Sequence, residues 1–97
     1  HQQYGGIIVL KGSGTLIFNG KQMELCLAGN AGMAVGGMGD TLTGIIATFL
    51  AQGLNLWDAA NLGVSLHAHA GDQLAQQKGQ SGVLPSELAL MMSQMLK

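Results

Sequence analysis

The chain has 97 residues, 47% of them hydrophobic and only 9% charged, which excludes intrinsic disorder and leaves room for one small domain and not two. A net charge of -1, with Lys11, Lys21, Lys78 and Lys97 scattered, gives no basic surface for nucleic acid or an acidic membrane. Cys26 is the single cysteine, no apolar run is long enough for a membrane span, and no signal peptide is visible, so a cytoplasmic protein is expected.

In chain order, "IIVL" (Ile7 to Leu10) is a run rich in β-branched residues, as in a strand buried on both faces. It ends at "KGSGT", where two glycines free the backbone for a turn. "TLIF" (Thr15 to Phe18), Asn19-Gly20 and "KQMELCL" predict a hairpin with a type I′ turn, which needs positive φ at both central residues. In its second arm Met23, Leu25 and Leu27 alternate with Gln22, Glu24 and Cys26, the pattern of a half-exposed strand.

Residues 28–39 form a glycine-rich loop with no period, and a helix is predicted from Asp40 onward. Leu42, Ile45, Ile46, Phe49 and Leu50 make its apolar face and Gly53 its stop, while Gly44, Ala47 and Ala51 leave the other side open to close packing. Asn55 followed by Asp58 predicts the cap of a second helix over Leu56 to Lys78, closed by Gly79. Pro85, Ser86 and Glu87 open a third helix with Leu88, Met91, Met92, Met95 and Leu96 on one face; the methionine stripe reads as core packing. Three or four strands and three helices, in an α/β layer order, are an incomplete sandwich.

The chemistry concentrates at Asp40. In the first turn of its helix it has Gly37, Met38 and Gly39 as neighbours, whose backbone N–H groups at the positive end of the helix dipole make an anion hole suited to phosphate. A carboxylate there is a poor phosphate ligand and a good base for a hydroxyl attacking that phosphate. Aspartate is also a favoured N-cap, so capping alone accounts for it equally well. There is no Gly-Lys-Ser/Thr of a P-loop, and Leu42 stands where a dinucleotide fingerprint needs glycine.

Other polar residues read more plainly. His67 and His69 point about 200° apart on a helix and cannot chelate one metal from one face. His67 is expected to be a satisfied core or interface histidine and His69 a surface one. Asn30 is expected to orient the glycine loop by an Asx-type bond, and Cys26 to be a small strand residue and not a nucleophile.

"NAGMAVGGMGDTLTGIIATFLAQG", with "VLKGSGT" before it and "LHAHAGD" after it, closely resembles the C-terminal part of the NAD(P)H-hydrate dehydratases of the ribokinase-like superfamily. The resemblance covers nearly the whole chain, and "GGMGD" is its most specific part. It implies that residues 1–97 are the C-terminal part of one ribokinase-like three-layer α/β/α catalytic domain. It also implies that Lys11, Gly12, Ser13, Gly14, Thr15 and Gly39 contact an adenine nucleotide, ADP or ATP, and that Asp40 contacts hydrated NADH or NADPH as the base. Asp72 falls on a matching position too, though a polar helix face explains it as well. Mg²⁺ bridging phosphate oxygens is expected with the nucleotide, with no metal ligand identifiable in this chain. The alternatives are a ribokinase-like small-molecule kinase and a non-catalytic interaction module.

The small-residue side of the first helix, the strand Ile7 to Leu10 and its unpaired edge all ask for cover that the chain does not contain. Homo-oligomerisation or association with a missing N-terminal part is therefore expected.

Overall fold

The computed structural model describes residues 1–11, 14–33, 36–80 and 83–96. Four strands, β1 (Gln2–Tyr4), β2 (Ile7–Lys11), β3 (Thr15–Phe18) and β4 (Met23–Cys26), form one antiparallel sheet in the order β1-β2-β3-β4. A 3₁₀ turn at Ala31–Met33 leads towards α1 (Met38–Ala51), and α2 (Leu56–Lys78) and α3 (Pro85–Met95) complete the chain. The α/β class and the three helices are as expected, except that α1 begins at Met38, two residues before Asp40. α2 packs against β2, β3 and β4 and carries α1 and α3, so these residues supply a sheet and one helical layer. That arrangement fits part of a ribokinase-like α/β/α fold.

The core lies between these two layers. Ile7, Val9 and Ile17 of the sheet meet Leu42, Ile46 and Phe49 of α1, Ala60, Val64 and Leu74 of α2, and Leu88 and Met92 of α3. Asn55 caps α2 as expected, its side chain accepting from the Asp58 N–H at 2.9 Å. α1 is closed by Gly53 at φ +97°, whose N–H bonds the Leu50 carbonyl, while the Leu54 N–H reaches Phe49 O at 3.2 Å. On α3, Leu88, Met91 and Met92 are buried, but Met95 and Leu96 are exposed, so only part of the methionine stripe packs in the core.

Three strand expectations are corrected. β2 is not buried on both faces: Ile7 and Val9 are buried, whereas Ile8 is half-buried and Leu10 is 43% exposed. Nor has it an unpaired edge, because β1 and β3 flank it; the sheet's edges are β1 and β4. In the hairpin the Asn19 N–H bonds Gln22 O at 3.2 Å, so Gly20 and Lys21 are the central pair, and only Gly20, at φ +93°, has positive φ. The turn is therefore not type I′. Asn19 instead accepts from the N–H groups of Lys21 and Gln22 at 2.9 and 2.7 Å.

Register decides the rest. Ile17 pairs with Glu24 and Thr15 with Cys26, which puts Glu24 and Cys26 on the helix-facing side. Met23 and Leu25 are thereby turned to the other face with Ile8, Leu10, Leu16 and Phe18. That face is apolar, and Met23 and Leu25 are 61% and 59% exposed.

Candidate functional site

The site is built around the start of α1. Gly37 precedes the helix at φ 92°, ψ -13°, a left-handed conformation that glycine adopts without steric penalty. Among the described residues no side chain caps the helix, and Asp40 is not its N-cap: it is the third residue of the first turn. The first N–H groups of a helix have no partner within it, which leaves those of Met38 and Gly39 for an external acceptor. Met38 itself is buried and anchors the turn, while Thr41 bonds the Gly37 carbonyl through both its N–H, at 3.1 Å, and its hydroxyl, at 2.9 Å.

Neighbouring elements hold this turn in place. A β-carbon on Gly39 would collide with Gln2 Nε2 of β1, and one on Gly37 would lie 3.1 Å from Pro85 Cγ at the start of α3. Tyr4 Oη donates to Gln2 Oε1 at 2.8 Å and lies 3.0 Å from Thr43 Oγ1, stitching β1 to α1. Nothing in the sequence pattern pointed to Gln2, Tyr4 or Thr43. β1 escaped notice because three residues are too few to show a period.

Lys11 ends β2 opposite Thr15, so these two share one end of the sheet. Gln2, which touches Gly39, pairs with Val9, two positions from Lys11; Gly39 therefore lies towards that same end. Thr15 is buried on the helix-facing side, and Gly14 sits where a β-carbon would meet the Cys26 carbonyl oxygen at 2.8 Å. Gly12 and Ser13 lie outside the described residues. Partial desolvation lowers the pKa of the Lys11 ammonium from its ordinary value.

His67 of α2 joins these parts. It is only 3% exposed and, among the described residues, its Nε2 has no hydrogen-bond partner, so the expectation of a satisfied histidine is corrected. Burial lowers its pKa to about 4; the Lys11 charge adds to that shift and the Met38 backbone opposes it. The ring thus stands neutral beneath the first turn of α1, within electrostatic reach of Lys11. His69 is exposed, as expected, its Nδ1 2.7 Å from Ser65 O.

Asp40 is exposed. With Thr41, Gly44, Ile45 and Thr48 it lines a groove of about 700 Å³ between α1 and α3, closed on the other side by Ala89, Met92, Ser93 and Leu96. Among the described residues it forms no hydrogen bond or ion pair. A carboxylate placed so is available to a ligand's proton. Asn30 makes the expected Asx bond, its Oδ1 accepting from Gly32 N–H at 3.0 Å, and Asp72 is drawn into the same loop.

Comparison with known proteins gives a consistent result. A sequence model described as NAD(P)H-hydrate dehydratase matches residues 1–94. The chain is 58% identical over 87 residues to the bifunctional NAD(P)H-hydrate repair enzyme Nnr of Vibrio cholerae, covering 90% of this chain and 18% of that protein. It is 40% identical over 88 residues to the ADP-dependent (S)-NAD(P)H-hydrate dehydratase of Neisseria meningitidis, covering 89% of this chain and 30% of that one. A crystal structure of a hypothetical protein from Streptococcus mutans superposes with a TM-score of 0.79 at 34% identity, over 94% of this chain and 34% of its own. The chain thus spans less than a third of the length of these two curated relatives.

Proposed function

The chain belongs to the NAD(P)H-hydrate dehydratase family, and we propose that it supplies the nucleotide-binding segment and the base of an enzyme that returns hydrated NADH or NADPH to NAD(P)H. The observation that carries the reading is the glycine-lined start of α1, uncapped among the described residues, with a carboxylate in its first turn that pairs with none of them. An uncapped helix end favours an anion through its dipole and its N–H groups, and the Gly37 conformation brings the backbone close.

In this reading residues 1–97 are the C-terminal part of one catalytic domain, acting in the cytoplasm, with the lone cysteine suiting a reducing compartment. Lys11, Gly12, Ser13, Gly14, Thr15 and Gly39 bind an adenine nucleotide; the Neisseria relative's name specifies ADP. Asp40 accepts the proton of the hydroxyl on the hydrated nicotinamide ring, and that oxygen takes the terminal phosphoryl group of the nucleotide. Backbone N–H groups of Gly37, Met38 and Gly39 stabilise the charge in transit. The phosphorylated oxygen then leaves as phosphate while the neighbouring ring carbon loses a proton, which restores the ring double bond. The hydroxyl oxygen departs in the phosphate, so the net change is loss of water coupled to cleavage of the nucleotide.

Mg²⁺ does not fit the described residues as a resident ion, since they contain no group of three or more His, Cys, Asp or Glu able to hold one. It would arrive on the nucleotide's phosphates.

The test is an assay of the natural full-length protein with hydrated NADH and ADP or ATP, following both NADH absorbance and free phosphate. Stoichiometric NADH and phosphate are expected. A stable phosphorylated product in place of free phosphate would identify a small-molecule kinase instead. Adenine nucleotide is also expected to raise the melting temperature, and calorimetry without a binding signal would overturn the nucleotide assignment.

A further inference from the structure

The loop that leads from β4 to α1 is laid on α2, and a single carboxylate sets where it begins. Asp72 Oδ2 accepts from the Gly29 N–H at 2.9 Å, and Asp72 Oδ1 accepts from Asn30 Nδ2 at 2.9 Å. Asn30 Oδ1 in turn accepts from the Gly32 N–H at 3.0 Å. Three bonds in series therefore run from the helix into the loop. Gly29 adopts φ +112°, and its N–H is directed at Asp72 in that conformation. One position before Asp72, Gly71 has no β-carbon to obstruct the Met33 side chain, whose Cε would lie 2.7 Å from such an atom.

One stretch of α2 serves both residues 29–33 and the start of α1. Ala68 touches the Gly29 position, Gly71 and Asp72 hold Met33, Gly29 and Asn30, and His67 lies beside Met38. His67 and Gly71 are four apart, as are Ala68 and Asp72, and Ala68 and Gly71 are three apart, so the set shares one helix face. The loop they hold is glycine-rich, so it has more backbone freedom to lose than other sequences. Bonds to an ionised acceptor are the stronger kind and suit the task.

We propose that Asp72, acting through Asn30, is a positioning residue for the phosphate-binding start of α1. The proposal rests on the dehydratase reading above. Asp72 touches neither nucleotide nor substrate. It fixes the loop at Gly29 to Gly32, a few residues before Gly37, and so sets where the N–H groups of the first turn stand. Those groups stabilise charge in the transition state only if they are aimed beforehand.

A donor–acceptor exchange tests this. In Asp72→Asn the new amide faces that of Asn30, donor against donor, while in Asn30→Asp two carboxylates face each other. In the double variant all three bonds return: Asn at position 72 accepts from Gly29 and donates to Asp at position 30, which still accepts from Gly32. In the full-length protein each single variant is expected to lower kcat by about 10- to 100-fold, the usual consequence of misplacing a reacting group by about an ångström. Nucleotide Kd should change less than kcat, and the melting temperature should fall in each single variant and return in the double, as the three bonds are lost and restored. The double variant should recover kcat to within about threefold of wild type, the non-additivity expected of residues in contact. An unchanged kcat in either single variant, or a folded double variant no better than the worse single one, would overturn the proposal.

Should wild-type protein fail to dehydrate hydrated NADH, the function assigned above falls separately. Amide exchange at Met38, Gly39 and Asp40 then decides the matter. Faster exchange in both single variants, restored in the double, supports the positioning role, and unchanged exchange refutes it.

Discussion

Gly63 of α2 lies so close to Ile46 of α1 that a β-carbon on it would stand 2.7 Å from Ile46 Cγ1 and 3.6 Å from Ile46 Cα. Ile46 is fully buried, and a β-branched side chain on a helix has no second good rotamer to retreat into. Gly44, on the outer side of α1, has nothing within 4 Å of the same position. Two helical glycines thus have opposite reasons to be tolerated.

Gly63→Ala gains about 1 kcal/mol of helix propensity but costs about 1–3 kcal/mol of overpacking, so it should lower the melting temperature. Gly44→Ala gains the propensity and meets no obstacle within these residues, so it should raise it. Thermal unfolding of both variants checks the pair. A stabilised Gly63→Ala would mean that the two helices can separate at little cost.

Stability should fall in mild acid because of His67. Its pKa is lowered from 6.5 to about 4 in the folded chain, so between those values the unfolded state binds the proton and the folded state does not. Unfolding is therefore favoured as pH drops below about 6.5, by about 3 kcal/mol once pH reaches the folded value, with no further loss below it. Above that window the contribution is constant. His67→Leu should remove this limb, and urea midpoints at pH 7 and pH 4.5 for both proteins measure it. A variant that loses as much stability as wild type over that interval would show that His67 is not the titrating group.

Asp40→Asn keeps the shape of the side chain and cannot take a proton. Since no residue depends on Asp40 for a cap, the substitution should leave folding and nucleotide affinity nearly unchanged. In the full-length enzyme turnover should drop by roughly two to four orders of magnitude, the ordinary worth of a general base. Wild-type turnover in this variant would reduce Asp40 to a residue favourable to the helix dipole.

The bare sheet face predicts association. Leu10, Met23 and Leu25 project from it at 43%, 61% and 59% exposure, beside Ile8, Leu16 and Phe18. Contiguous exposed apolar surface of this kind marks a site of association. The 97 residues alone should therefore self-associate, or stay bound to the rest of a longer domain, and show no dehydratase activity. Met23→Lys with Leu25→Lys should weaken the association. A stable monomer of the unmodified chain in micromolar sedimentation runs would contradict the association, and turnover by that monomer would contradict the inactivity.

Helix limits, the Asn55 cap and the closure at Gly53 were legible in the sequence because they depend on neighbours in the chain: periodicity, local capping bonds and glycine's access to positive φ. The motif around Asp40 was legible through its resemblance to the dehydratases, because its local pattern alone leads only to an anion site at a helix start. Strand faces were not. The alternation of Met23, Glu24, Leu25 and Cys26 has two possible orientations, and only pairing with β3 decided that the apolar set faces away from the helices. The turn at Asn19 escaped too, since its own side chain took up two backbone N–H groups that a type I′ turn would have arranged otherwise. Asp72 and Asn30 stand 42 positions apart, and His67 is kept neutral by its burial between elements and by the charge of Lys11 on β2. Long-range contacts, burial and register are properties of the packed chain, and they converted a polar helix face into a clamp and an ordinary histidine into a buried, neutral one.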